Sequence, residues 1–170
     1  MSERTGVITF KGGPLTLIGP ELSTGQDAPD FTLVTNDLAT KSLADFAGKV
    51  LVLVTVPSLD TPVCDVETRR FNEEAAALGD DVVVVAVSVD LPFAQKRWCG
   101  AAGVDRVETL SDYKDHGFGE AYGLLIKELA LLTRAVVVVD RTGKISNVQI
   151  VGEVTEEPDY SATLAAIKSA

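Results

Sequence analysis

Cysteine and histidine are scarce in this chain: two of the first and one of the second in 170 residues. A structural zinc site takes four such ligands, and a disulfide scaffold takes more cysteines still, so neither organises the fold. Cys64 and Cys99 stand far apart and form no Cys-x-x-Cys pair, the usual dithiol of a disulfide reductase. Positive charge is also in short supply. Fifteen Lys+Arg face 25 Asp+Glu, a net charge of −10. That field repels a phosphate backbone or an anionic lipid surface, so neither nucleic acid nor membrane is expected as a partner. Apolar runs such as Val82 to Val87 fall far short of the roughly 20 residues that span a bilayer. Met1 to Phe10 lacks the apolar segment of a secretory signal. A cytoplasmic protein is the expectation, and there two cysteines are free, catalytic or buried and inert rather than cross-linked.

What is present is a globular composition, 46% hydrophobic and 24% charged, sized for a single domain over residues 1–170. Val7–Lys11 and Pro14–Ile18 flank Gly12-Gly13 and read as an N-terminal hairpin over about residues 6–19. Phe31–Val34 reads as a short strand, and Leu43–Phe46 as one helical turn stopped at Gly48. Val50–Val56 and Asp81–Val89 are apolar runs suited to strands buried on both faces. A helix follows each: one from about Cys64 to Leu78, the other from Pro92 to Ala102. After a strand at Val107–Leu110 and a weak helix at Phe118–Tyr122, Ala135–Val139 and Lys144–Val151 pair around a turn. A closing helix at Asp159–Ser169 turns Leu164, Ala165 and Ile167 inward. Helix-separated strands require parallel pairing, and the short late turn requires antiparallel pairing. The result is a mixed central sheet flanked by helices, thioredoxin-like, with a flavodoxin-like sheet as the alternative.

In such sheets chemistry gathers beyond the carboxyl ends of the parallel strands. The segment there is Pro57-Ser58-Leu59-Asp60-Thr61-Pro62-Val63-Cys64. Cys64 falls in the first turn of its helix, where unpaired N–H groups and the helix dipole favour a thiolate. Thr61, three residues earlier, can aim a hydroxyl at the sulfur or at a bound oxygen, and Pro57 and Pro62 stiffen the loop.

The pattern Pro-x-x-x-Thr-x-x-Cys, carried by Pro57, Thr61 and Cys64, resembles the signature of the peroxiredoxin family. The wider loop is similar to the bacterial thiol peroxidase branch. So are Asp90-Leu91-Pro92-Phe93-Ala94-Gln95 with Cys99-Gly100, Thr133-Arg134-Ala135-Val136, the N-terminal hairpin and Glu157-Pro158-Asp159-Tyr160. The resemblance implies that Cys64 is the peroxidatic cysteine, that Cys99 resolves it as an intramolecular disulfide, and that Arg134 supports the thiolate. It implies reduction of hydrogen peroxide or organic hydroperoxides, recycling by a thioredoxin-type reductant, a homodimer, and no flavin, haem or metal. The oxygen-binding groups would be Pro57, Thr61, the N–H groups near Val63 and Cys64, and Arg134.

Magnitudes rank these groups. Bringing an ordinary thiol from a pKa of about 8.5 to about 6 takes about 3.4 kcal/mol. A helix N-terminus contributes about 0.3–1 kcal/mol, or about 2 when partly buried. A guanidinium at about 4 Å contributes on the order of 4 kcal/mol at an effective dielectric near 20 before desolvation. The arginine must outweigh the dipole. By its position alone, however, an arginine opening a strand reads as a solvated end residue.

Cys99 lies about two turns into its helix, roughly 10 Å past the start, whereas a disulfide needs Cα atoms within about 7 Å. The first turn after Cys64, the region around Cys99, or both must therefore unwind, eased by Gly100 and Gly103. Trp98 reads as partial core and a reporter of redox state, and His116 as a surface or cap residue. Asp60 and Asp65 read as capping or solvating the loop; by position alone Glu67, Arg69 and Arg70 read as a solvated face, whereas the resemblance implies that such residues help the active site or the dimer contact. Gly117, Gly119 and Gly123 do not fit a nucleotide-binding pattern. Two other classes compete with the enzyme: a redox sensor using the same disulfide with little turnover, and a binding domain whose cysteines never pair.

Overall fold

In the computed structural model, which describes residues 2–170, the hairpin pairs β1 (Glu3–Phe10) with β2 (Gly13–Ile18). Met1, the first residue of the expected domain, lies outside the described residues. The hairpin begins at Glu3 rather than near residue 6. Lys11 and Gly12 turn it with φ of 49° and 80°, the paired positive values of a type I′ turn.

The chain continues through β3 (Thr32–Val34), β4 (Thr40–Ser42), a 3-10 turn at Leu43–Phe46, β5 (Val50–Thr55) and α1 (Pro62–Ala75). It then forms β6 (Val82–Ser88), α2 (Pro92–Ala102), β7 (Val107–Ser111), α3 (Gly117–Ala121), β8 (Leu125–Ile126) and β9 (Leu131–Leu132). β10 (Ala135–Val139), β11 (Ile145–Ile150) and α4 (Tyr160–Ser169) close it. A seven-stranded sheet runs in the order β11-β10-β5-β6-β7-β3-β4. β5, β6 and β7 are parallel, and β10 lies antiparallel against β5. An antiparallel strand inside the sheet, β10 between β11 and β5, excludes the flavodoxin-like alternative, whose interior strands are all parallel. The fold is thioredoxin-like.

The period-2 alternation of the buried strands separates two cores. Val50, Val52, Val54 and Val56 pack with Cys64, Phe71 and Ile167 on the α1/α4 side. Leu51 and Leu53 pack with Phe31, Phe118 and Tyr122 on the other. Each such side chain, fully buried, stabilises the fold by about 1.5–3 kcal/mol.

Three short strands escape the sequence reading: β4, β8 and β9. Two or three residues carry no periodicity. β8 and β9 extend the hairpin into a second, four-stranded sheet in the order β1-β2-β8-β9. The closing helix buries Thr163 and Ile167, while Ala165, expected inside, is exposed. Thr163 tolerates the interior because its hydroxyl donates to the Asp159 carbonyl at 3.1 Å.

Candidate active site

The site begins where β5 ends. Its register with β10 sets Thr55 opposite Ala135, so the residue before β10, Arg134, arrives beside the loop that leaves β5. Thr55 Oγ1 donates to the Thr133 carbonyl at 2.7 Å and fastens the approach to Arg134. The loop itself is tied down by Asp90. Its carboxylate accepts from Ser58 Oγ at 2.7 Å and from the Leu59 N–H at 2.9 Å. Pro57 is buried beneath the loop.

Thr61, in extended conformation (φ −96°, ψ 148°), is the N-cap of α1, and Pro62 occupies the first helical position. Proline suits that position because it has no N–H to leave unpaired and its φ is already helical. Cys64 thus falls in the first turn, fully buried. Of the two expected targets of the Thr61 hydroxyl, the sulfur and a bound oxygen, the sulfur does not receive its proton, which goes to the Ser58 carbonyl at 2.9 Å. The hydroxyl makes no side-chain cap bond among the described residues. The oxygen lone pairs of Thr61 and the first-turn N–H groups of Val63 and Cys64 therefore have no partner among the described residues.

Arg134 is not a solvated end residue. It is 2% exposed, and its Nη2 donates to Cys64 Sγ at 3.2 Å. Its Nε donates to the Val154 carbonyl at 2.9 Å, and its Nη1 to Glu67 Oε2 at 2.5 Å. Burial works against this cation, but the charges of Glu67 and Cys64 and its hydrogen bonds to both outweigh that and raise its pKa.

Glu67 overturns the solvated-face reading. It is fully buried, and its Oε1 has no partner among the described residues. Burial pushes its carboxyl up to about 7, with the Arg134 charge and hydrogen bond pulling the other way. The inward stripe of α1 is Cys64, Glu67, Thr68 and Phe71, the i, i+3, i+4, i+7 face, while Val66 on the opposite side is exposed. The spacing from Cys64 to Glu67 was the available signal; the charge of Glu67 concealed it.

Cys99 stands apart from this group. Its Sγ meets Thr109 Oγ1 at 3.4 Å, and Thr109 in turn donates to Asn36 Oδ1 at 3.0 Å. The two cysteines are not joined in a disulfide. Asp65 holds no loop; it accepts from Trp98 Nε1 at 2.8 Å and from Arg69 Nε at 2.9 Å. His116 caps α3 by position, in left-handed conformation with φ 57°. No group of three or more His, Cys, Asp or Glu among the described residues is arranged to hold a metal ion. No helix among them is long and apolar enough to cross a membrane.

A buried cysteine in a helix first turn, hydrogen-bonded by a buried guanidinium, is built for nucleophilic sulfur chemistry. The family model named Redoxin matches residues 23–164. The chain belongs to the Redoxin family. Its relatives in that family include thiol peroxidases. It is 58% identical over 162 residues to the thiol peroxidase of Bacillus subtilis (strain 168), covering 95% of this chain and 96% of that one. It is 52% identical over 162 residues to that of Staphylococcus aureus (strain MRSA252), covering 95% and 98%. A crystal structure of a peroxiredoxin-like protein from Aquifex aeolicus superposes with a TM-score of 0.91 at 44% identity, covering 98% of this chain and 96% of that one. This Redoxin is an enzyme of the peroxiredoxin type, with thiol-dependent peroxidase chemistry.

Proposed function

We propose that the protein reduces hydrogen peroxide and organic hydroperoxides through a sulfenic acid on Cys64 and an intramolecular Cys64–Cys99 disulfide. The observation that carries this reading is the 3.2 Å hydrogen bond from the buried Arg134 guanidinium to the Cys64 sulfur. A cation in that contact stabilises thiolate over thiol, and the thiolate is the nucleophile. The sulfur attacks the terminal peroxide oxygen, the O–O bond breaks, and an alkoxide or hydroxide leaves and takes a proton from water. Thiolate character alone does not make this fast, because nucleophilicity falls as basicity falls. The rest comes from holding the peroxide in line. Thr61 Oγ1, its own proton given to Ser58, accepts the peroxide O–H. The N–H groups of Val63 and Cys64 and the Arg134 guanidinium donate to the oxygens, and buried Pro57 keeps water from the back of the loop.

Condensation of the sulfenic acid with the Cys99 thiol then releases water and forms the disulfide. A thioredoxin-type dithiol returns it to two thiols, with no flavin, haem or metal. We place the cycle in the cytoplasm, in a homodimer. Exposed apolar side chains support a partner near the cysteine helices: Val66 at 51%, Leu91 at 52% and Phe93 at 65% exposure.

The test is one equivalent of hydrogen peroxide on reduced protein, followed by intact mass and Trp98 fluorescence, with Cys64→Ser as control. Loss of two hydrogens, far faster than for a small free thiol and absent in the control, is the expected result. Sustained turnover with thioredoxin separates an enzyme from a sensor. Oxidation at free-thiol speed overturns the reading.

A further inference from the structure

The residue after Cys64 is bonded to the residue before Cys99. Asp65, in the first turn of α1, accepts the indole N–H of Trp98 on α2 at 2.8 Å. Arg69, one turn further along α1, reinforces this contact three ways. Its Nε donates to Asp65 Oδ2 at 2.9 Å, its guanidinium lies 5.8 Å from the Trp98 ring centroid, and its Nη1 donates to the Ala102 carbonyl at 3.1 Å. The second half of α2 is thus held to α1.

The first half of α2 is held differently. Gln95 is 1% exposed, and its Nε2 donates to Ser88 Oγ at 3.0 Å and to the Leu110 carbonyl at 2.9 Å. That anchor is buried in the sheet and independent of α1. Between Gln95 and Gly103, where the helix ends in left-handed conformation at φ 68°, α2 is fastened by Trp98, by Ala102, by the thiol–hydroxyl contact of Cys99 and by a solvent-exposed ion pair from Lys96 Nζ to Asp37 Oδ1 at 2.9 Å, which is worth little.

We propose that Asp65, Trp98 and Arg69 form a clasp that makes the unwinding of the two cysteine segments one event and so sets the rate of disulfide formation. The inference rests on the reading of Cys99 as the resolving cysteine. Neither segment leaves its helix without breaking the Asp65–Trp98 bond, and once it breaks both are released, with Gln95 as the hinge that stays docked. Asp65, Trp98 and Arg69 are positioning residues. They act on the choice facing the Cys64 sulfenic acid. It condenses with the Cys99 thiol, forming the S–S bond and water, or a second peroxide oxidises it to sulfinic acid and leaves as alcohol or water. A tight clasp favours the second course at high peroxide.

The experiment is rapid-quench intact mass of wild type, Asp65→Ala, Asp65→Asn, Trp98→Phe and the Asp65→Ala/Trp98→Phe double variant over a range of hydrogen peroxide concentrations. Asp65→Ala and Trp98→Phe are each expected to speed disulfide formation about tenfold, the scale set by losing a hydrogen bond to a charged group. Sulfinic product falls accordingly, and the peroxide-dependent first step stays at the wild-type rate. The double variant should match Asp65→Ala, because that change already removes the bond that Trp98→Phe takes away. Asp65→Asn loses the charge at the helix start but keeps an acceptor for Trp98, and should stay within about threefold of wild type. A variant that merely loosened the fold would slow the first step instead. Wild-type rates and sulfinic yields in Asp65→Ala and Trp98→Phe, or additive effects in the double variant, overturn the clasp while the Cys99 reading stands. Absence of any disulfide in the wild type overturns both.

Discussion

Arg134 holds two partners at once, and removing it should separate a cost in stability from a cost in rate. Arg134→Ala takes the donor from Cys64 and leaves Glu67 fully buried without its ion-pair partner. Breaking one side of a buried ion pair costs about 3–5 kcal/mol, most of it from the orphaned charge. Glu67 has a second oxygen already without a partner, so no alternative bond within the described residues offsets the loss. Adding Glu67→Gln removes the orphaned charge and should return most of that stability.

The rate should not return with it. The hydrogen bond from guanidinium to sulfur is of the charged kind, worth about 1.5–3 kcal/mol, or about 10–150-fold in rate at 1.36 kcal/mol per decade. Urea unfolding of Arg134→Ala, Glu67→Gln and the double variant measures the first quantity. Stopped-flow oxidation by peroxide under pseudo-first-order conditions measures the second. The expected pattern is a double variant that unfolds near the Glu67→Gln midpoint and still reacts at least about tenfold more slowly than Glu67→Gln alone. If the double variant regained the Glu67→Gln rate, Arg134 would serve the fold only, and the proposed activation of Cys64 would be wrong.

Thr61→Val keeps the shape of the N-cap side chain and removes its oxygen; peroxide oxidation should slow by about tenfold, the scale of one hydrogen bond in the transition state, and an unchanged stopped-flow rate would remove Thr61 from the mechanism. The pH dependence of stability follows from two buried carboxyls. Burial raises Glu67 to about 7 against Arg134, and raises Asp112 to about 6 against the backbone N–H groups of Gly119 and Phe118. Both bind a proton more tightly folded than unfolded, so stability is greatest below their unfolded values and falls as pH climbs from about 4 to about 7. Urea midpoints across that window should decline, and Glu67→Gln should flatten the slope; a rise with pH would contradict the assignment.

The parts of this molecule that were legible in its sequence are those governed by local chemistry. Gly12 in the hairpin turn, Pro62 and Cys64 at a helix start, and the uncharged run Val50–Val56 each dictate their own conformation. What was not legible depends on pairing at long range. Arg134 reaches Cys64 only because β10 lies on β5 in the register that sets Ala135 opposite Thr55. Glu67 was read as solvated because an isolated carboxylate beside Arg69 and Arg70 belongs in water. Its burial makes sense only once a buried guanidinium is known to face it. The inward face of α1 is hidden for the same reason, since two of its four residues, Glu67 and Thr68, are polar. Asp65 shows the reverse error: a cap by position, it is committed to an indole 33 residues away.

The two sides of the site differ in rigidity, and this decides how the sulfur can move. Arg134 is fixed by Val154 and Glu67, and its own carbonyl accepts the Val151 N–H at 3.0 Å at the start of the interior strand β10. Cys64 sits in a helix end, where unwinding costs few bonds, the first being Asp65 N–H to the Thr61 carbonyl at 3.0 Å. While the sulfur is anionic, its attraction to the guanidinium opposes unwinding. In the proposed cycle the sulfenic acid is neutral, so the first oxidation should remove that attraction and loosen the turn before any disulfide forms. Cys99→Ser, in which the disulfide cannot form, isolates this step. Hydrogen exchange after one equivalent of peroxide should show the amides of residues 65–68, which bond back to the turn around Cys64, losing protection while residues 135–139 keep theirs. Unchanged protection at 65–68, or equal loss in both segments, would mean that oxidation does not itself release the cysteine.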